Sequence, residues 1–110
     1  CYQYAWEFAN NDTAKLGANN NARRGYRILE LFDEYKVPGT IGLGVFDVHS
    51  NQIEAPELIR DRILYAAKVL GNEKIFVNPD CGLRTRTLDV SFVKLSNMVK
   101  GTEMARDEFK

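Results

Sequence analysis

The sequence predicts an α/β fold made of three consecutive βα units with parallel strands. Three observations carry that expectation: three short strand-like apolar segments, a stretch of helical periodicity after each, and Gly or Pro punctuation between them. The strand-like segments recur at roughly 30 to 40 residues, room enough for the right-handed helical crossover that parallel strands require.

The first element, Tyr2 to Phe8, is aromatic and β-prone with no helix cap before it, and reads as a strand. Asn10 to Asn21 is rich in Asn, Gly and Asp, as loops are. Arg24 to Tyr35 then sets Ile28, Leu29, Leu31, Phe32 and Tyr35 at helical spacing, until Pro38 and Gly39 stop the helix. Thr40 to Asp47, TIGLGVFD, is short and apolar on both faces, the pattern of a strand buried in a parallel sheet.

A polar loop, His49 to Glu54, leads to Pro56 at a helix start. Leu58, Ile59, Ile63, Ala66, Ala67 and Leu70 follow at helical intervals, and Gly71 is placed to end the helix. Lys74 to Asn78, KIFVN, is the third strand, closed by the turn Pro79-Asp80-Cys81-Gly82. After a loop from Leu83 to Thr87, the final helix carries Phe92, Leu95, Val99 and Phe109 on one side, with Lys94, Lys100, Glu103 and Asp107 mostly elsewhere.

Three parallel strands cannot close on themselves, and their outer edges would stand unpaired. An eight-unit (β/α)8 barrel of about 250 residues averages about 31 per unit, so three units are about three-eighths of one. A three-stranded doubly wound sheet is the rival architecture and would be unusually small.

At 110 residues, 45% hydrophobic and 27% charged, the composition is that of one globular domain with one modest core. Fifteen basic and fifteen acidic side chains cancel, leaving no field to draw nucleic acid or an anionic membrane. The longest apolar run falls well short of the ~20 residues that span a bilayer, and no basic segment followed by an apolar stretch opens the chain. Cys1 and Cys81 form no disulfide framework and no CxxC pair, which suits a reducing cytoplasm. The expected partners are small molecules in the cytoplasm, with no nucleic acid and no membrane.

In parallel sheets and barrels ligands bind at the carboxyl ends of the strands. Here those ends read Trp6-Glu7-Phe8, Asp47-Val48-His49-Ser50 and Asn78-Pro79-Asp80-Cys81-Gly82, so a Glu, a His, a Cys and two Asp converge on one rim. Glu, His and Cys are all competent zinc ligands, and a catalytic zinc usually takes three protein ligands. The plainer readings are a structural Asp-x-His hydrogen bond and a cysteine packed as a small hydrophobe.

Three motifs in order, GLGVFDVHS (Gly42 to Ser50), VNPDCGLRTR (Val77 to Arg86) and KLSNMV (Lys94 to Val99), are similar to the C-terminal catalytic domain of the cobalamin-independent methionine synthase family. The likeness runs from Trp6 to the end and is weak only across Asn10 to Tyr26. It implies a partial (β/α)8 TIM barrel, with residues 1–110 as the C-terminal portion of the barrel domain. The implied activity is zinc-dependent transfer of a methyl group from a methylated folate to the thiol of homocysteine. Residue by residue, it makes Cys81 and Glu7 zinc ligands and His49 the proton donor. Asp47, two residues before His49 and on the same face if the strand continues, would either orient the imidazole or cap the following turn. The family's other two ligands, a His-x-Cys pair on an earlier strand, have no counterpart here. Ser50, Asp80 and Trp6 are the expected substrate-binding residues. Asp80, Arg84 and Arg86 form a polar cluster around Cys81 that would hold the ligand or meet an anionic substrate, and Trp6 would shield the metal or stack on a pterin-like ring.

Two alternatives stay open. The segment NQIEAPELIRDRI resembles the shorter, single-barrel branch of the superfamily, which includes coenzyme M-dependent epoxide-opening alkyltransferases that also activate a thiol on zinc. Alternatively, the chain is a non-catalytic fragment or assembly subunit that docks on the remainder of the barrel or on a second chain.

Overall fold

Three strands, β1 (Gln3–Trp6), β2 (Thr40–Gly44) and β3 (Ile75–Asn78), lie side by side in one parallel sheet in the order β1-β2-β3. The computed structural model from which this is read describes residues 3–9, 26, 28–36, 38–48, 53–80, 82–83 and 87–109. Gln3 pairs with Thr40 and Trp6 with Leu43, while Ile41 pairs with Ile75 and Gly44 with Asn78. Each strand is followed by a helix: α1 (Leu29–Glu34), α2 (Pro56–Leu70) and α3 (Leu88–Glu108). The βα order repeats three times, as the sequence predicts.

Alternation along the strands sorts side chains onto two faces. Tyr4, Ile41, Leu43, Ile75 and Val77 share one face and pack with Leu29, Ile59, Ile63 and Ala66 of the helices into a single core. The opposite face carries Ala5, Gly42, Gly44, Phe76 and Asn78, of which Ala5 and Phe76 are exposed. Small side chains on β2 keep this second face shallow.

The strand expected to reach Asp47 ends at Gly44, yet residues 45–48 stay buried. The ladder to β3 goes on irregularly, with Val45 N–H donating to the Asn78 carbonyl at 2.9 Å and Asp80 N–H to the Phe46 carbonyl at 3.1 Å. Of the helix expected over Arg24 to Tyr35, the part that is α-helical among the described residues is the six residues of α1, which buries Leu29, whereas Leu31 and the following Tyr35 are exposed. α2 begins at Pro56 and ends where Gly71 takes φ 93°, a conformation that costs a residue without Cβ little.

α3 departs from expectation in the face it buries. Phe92, Leu95, Val99 and Phe109 are exposed, and the buried positions are Lys94, Gly101 and Ala105. Small residues let α3 approach α2 closely: a Cβ on Gly101 would lie 2.7 Å from both Ile59 Cγ2 and the Pro56 carbonyl oxygen. Thr87 caps α3, its hydroxyl accepting from Val90 N–H at 3.3 Å. Thr87→Ala should cost about 1 kcal/mol of unfolding free energy, measurable as a shifted urea midpoint. Among the described residues no helix is long and apolar enough to cross a membrane.

Candidate active site

All three strands end on the same rim, because parallel strands point their carboxyl ends one way. What holds those ends together is side-chain chemistry. Asp80, just beyond β3, directs its carboxylate across β2 to β1, where Oδ1 accepts from Phe8 N–H at 3.1 Å and Ala9 N–H at 3.0 Å. Gly44 makes this crossing possible, since a Cβ there would meet Asp80 Oδ1 and would lie 2.7 Å from the Trp6 carbonyl oxygen. Gly42 does the same one step earlier, where a Cβ would run into the Asn78 amide.

Tyr26 supports the rim from the side. Its ring stacks on Phe8 at 5.4 Å between centroids, and its hydroxyl donates to the Gly44 carbonyl at 2.6 Å. Arg62 of α2, completely buried, donates to the Val45 carbonyl at 2.7 Å and lies 5.9 Å from the Tyr26 ring centre.

At the end of β2, Asp47 is buried, and both of its main-chain groups are held by charged side chains. Its N–H donates to Glu54 Oε2 at 2.7 Å, and its carbonyl accepts from Lys94 Nζ at 2.8 Å. Lys94 and Glu54 pair at 2.9 Å, and Arg62 approaches the same carboxylate at 3.8 Å. Asn97 Nδ2 fixes the Glu54 carbonyl at 3.0 Å.

Of the residues singled out by the sequence, Trp6, Glu7, Asp47 and Asp80 are described, and all four lie at strand ends. Glu7 is exposed just past β1. Trp6 lies edge-on to Phe32 of α1 at 5.0 Å and is 43% exposed, so its ring is engaged with the helix layer. Asp80 uses Oδ1 on β1. His49, Ser50 and Cys81 lie outside the described residues, as do Arg84 and Arg86.

Among the described residues no group of three or more His, Cys, Asp or Glu is arranged to hold a metal. The donor chemistry nonetheless suits zinc as part of a ligand set: the exposed Glu7 carboxylate precedes Phe8, and the Cys81 thiol follows Asp80 directly along the chain. The Asp80 bridge joins the neighbours of these two donors.

Sequence reasoning missed Tyr26, Glu54, Arg62 and Lys94, the buried groups that brace the rim. One signal was available: Lys94 stands on the 94, 98, 101, 105 stripe of α3 with Met98, Gly101 and Ala105, and all of these are buried or half-buried.

A sequence profile of the family described as cobalamin-independent synthase, catalytic domain, matches residues 12–104. A methionine synthase of Thermoplasma acidophilum is 42% identical over 101 residues, which cover 87% of this chain and 29% of that protein. A 5-methyltetrahydropteroyltriglutamate-homocysteine methyltransferase of Vibrio vulnificus is 39% identical over 88 residues, covering 80% of this chain and 11% of the longer protein. Among solved structures, a B12-independent methionine synthase from a Shewanella species, in complex with selenomethionine, superimposes with a TM-score of 0.68 at 26% identity, covering 74% of this chain and 24% of that one. The chain thus spans under a third of the length of these relatives, and its three βα units are a partial (β/α)8 barrel.

Proposed function

This chain belongs to the cobalamin-independent methionine synthase catalytic-domain family, and from that membership we propose that it contributes one rim of an active site that methylates the thiol of homocysteine. The observation that carries the reading is the family match over residues 12–104. The Asp80 bridge between the ends of β1 and β3 supports it physically, since it draws together the two segments that bear Glu7 and Cys81.

In this reading Glu7 and Cys81 are two of the ligands of a catalytic zinc, and the others come from the rest of the barrel or from a second chain. Zinc supplies Lewis acidity that lets a thiol lose its proton near neutral pH. The chain's own residues do the remaining work at the rim. His49 delivers a proton to the departing nitrogen of a methylated folate-type donor, which otherwise leaves poorly, a task to which imidazole as a side-chain type is suited. Asp47 orients that imidazole from two residues away. Asp80 fixes the ligand-bearing strand ends, and Ser50 and Trp6 contact substrate.

The test uses the protein expressed from its complete reading frame. We expect about one zinc per chain and transfer of a methyl group from a methylated pterin to homocysteine. Cys81→Ser should remove most of the metal, read by elemental analysis after dialysis, and abolish transfer. Unchanged zinc in Cys81→Ser would overturn the ligand assignment. Activity toward an epoxide with coenzyme M, and none with homocysteine, would move the protein to the alkyltransferase branch.

A further inference from the structure

Residues 45–48 leave the regular strand of β2 and yet are all buried at the rim. Their main-chain groups are met by three ionic side chains, Arg62 on the Val45 carbonyl, Glu54 on the Asp47 N–H and Lys94 on the Asp47 carbonyl. The Lys94 and Glu54 side chains are 0% and 2% exposed, so this ion pair is shut off from solvent. Three segments deliver the cluster: the connection before α2 brings Glu54, α2 brings Arg62, and the second turn of α3 brings Lys94.

A buried ion pair is a poor way to gain stability. Apolar residues of the same volume commonly do as well or better, because taking the charges out of water costs about what their attraction returns. What the pair does here that apolar groups could not do is hold a peptide unit by both its donor and its acceptor. The Lys94 ammonium and the Glu54 carboxylate pair with each other and grip Asp47 at its carbonyl and its N–H, so displacing Asp47 would break both of those hydrogen bonds at once. Asn97 pins the Glu54 backbone in turn, which leaves the carboxylate little freedom to follow.

We infer that Glu54 and Lys94 are positioning residues, a clamp that fixes the main chain at Asp47 and thereby aims the strand-end segment that continues to His49. The inference rests on the proposed roles of Asp47 and His49 in methyl transfer. Neither Glu54 nor Lys94 touches substrate in this scheme; each acts through Asp47.

The test compares Lys94→Met, which keeps the buried stem and removes the charge, with Ile59→Val, a truncation in the same core that leaves every polar group of the clamp in place. In the protein expressed from its complete reading frame, Lys94→Met should raise amide hydrogen exchange at residues 46–48 by about tenfold or more and lower kcat by about 10 to 100-fold, the usual reach of residues that orient a site. KM for the thiol should move by less than about threefold, and zinc content should stay the same, because the clamp bears on the proton-donor segment and not on the metal ligands. Ile59→Val should lower Tm with kcat unchanged. Lys94→Gln, with a donor and no charge, replaces Lys94→Met if the latter does not accumulate, and the same split is expected of it. A variant that loses Tm but keeps kcat, as Ile59→Val does, overturns the inference. So does unchanged exchange at residues 46–48. If the unaltered protein transfers no methyl group, the reaction proposed above fails, and the clamp stands or falls on exchange alone.

Discussion

Asp80→Ala should weaken the fold and, at the zinc site proposed above, the hold on the metal, in the protein expressed from its complete reading frame. The Asp80 carboxylate satisfies Phe8 N–H and Ala9 N–H, and both residues are at most 1% exposed. Removing it strands two buried donors at about 1–3 kcal/mol each, partly relieved if water enters from the rim. The same change cuts the side-chain link by which Asp80, beyond β3, reaches across β2 to the chain at Phe8 and Ala9, so those two strand ends are no longer tied to one another through it. Zinc affinity should fall by about 10 to 100-fold, as it does when an outer group that orients a ligand is lost. Asp80→Asn keeps an oxygen at the same place and should retain most of the fold and part of the affinity. Chemical unfolding and a competitive chelator titration give the two readouts. An Asp80→Ala protein with an unchanged midpoint and unchanged zinc affinity would show that the bridge does neither job.

The strand ends were legible because the rule that locates ligands there depends only on chain direction. Trp6, Glu7, Asp47 and Asp80 are all found at that rim. The glycine pair of GLGVFD was legible as a buried strand, but its purpose was not: Gly42 and Gly44 leave room for Asn78 and Asp80, which are separated from them by more than thirty residues of sequence. The end of β2 was placed three residues late for a related reason. Val45 to Asp47 looks like more strand, yet only Val45 N–H and the Phe46 carbonyl stay on the ladder to the β3 end, while the Val45 carbonyl and both Asp47 main-chain groups go to Arg62, Lys94 and Glu54, partners that no local pattern announces.

α3 shows the limit of periodicity most clearly. Its apolar stripe was the natural candidate for the core, and a lysine the natural candidate for solvent. The structure places Lys94 inside because its ammonium finds a carboxylate and a carbonyl there, and leaves Phe92 72% exposed. Periodicity weighs each residue by its own transfer cost, whereas a paired charge is weighed together with a partner forty positions away.

That pairing makes Glu54→Ala the most damaging single change expected in this part of the molecule. The substitution removes the Glu54 carboxylate from beside Lys94 and Arg62, both with side chains 0% exposed, and takes the acceptor from Asp47 N–H. Breaking one side of a buried pair costs about 3–5 kcal/mol, because the charge that remains is still out of water. Glu54→Gln should cost less, since its carbonyl oxygen can still accept from Asp47 N–H. The decisive comparison is the double variant Glu54→Ala with Lys94→Met. If the cost lies in the stranded ammonium, the double variant should be more stable than the sum of the two single losses predicts, by about 0.5–3 kcal/mol, the range seen for residues in one network. Urea unfolding of the four proteins measures that coupling directly. Simple additivity would mean that the Asp47 carbonyl alone is enough to keep the Lys94 ammonium buried, and that Glu54 matters only for the Asp47 N–H.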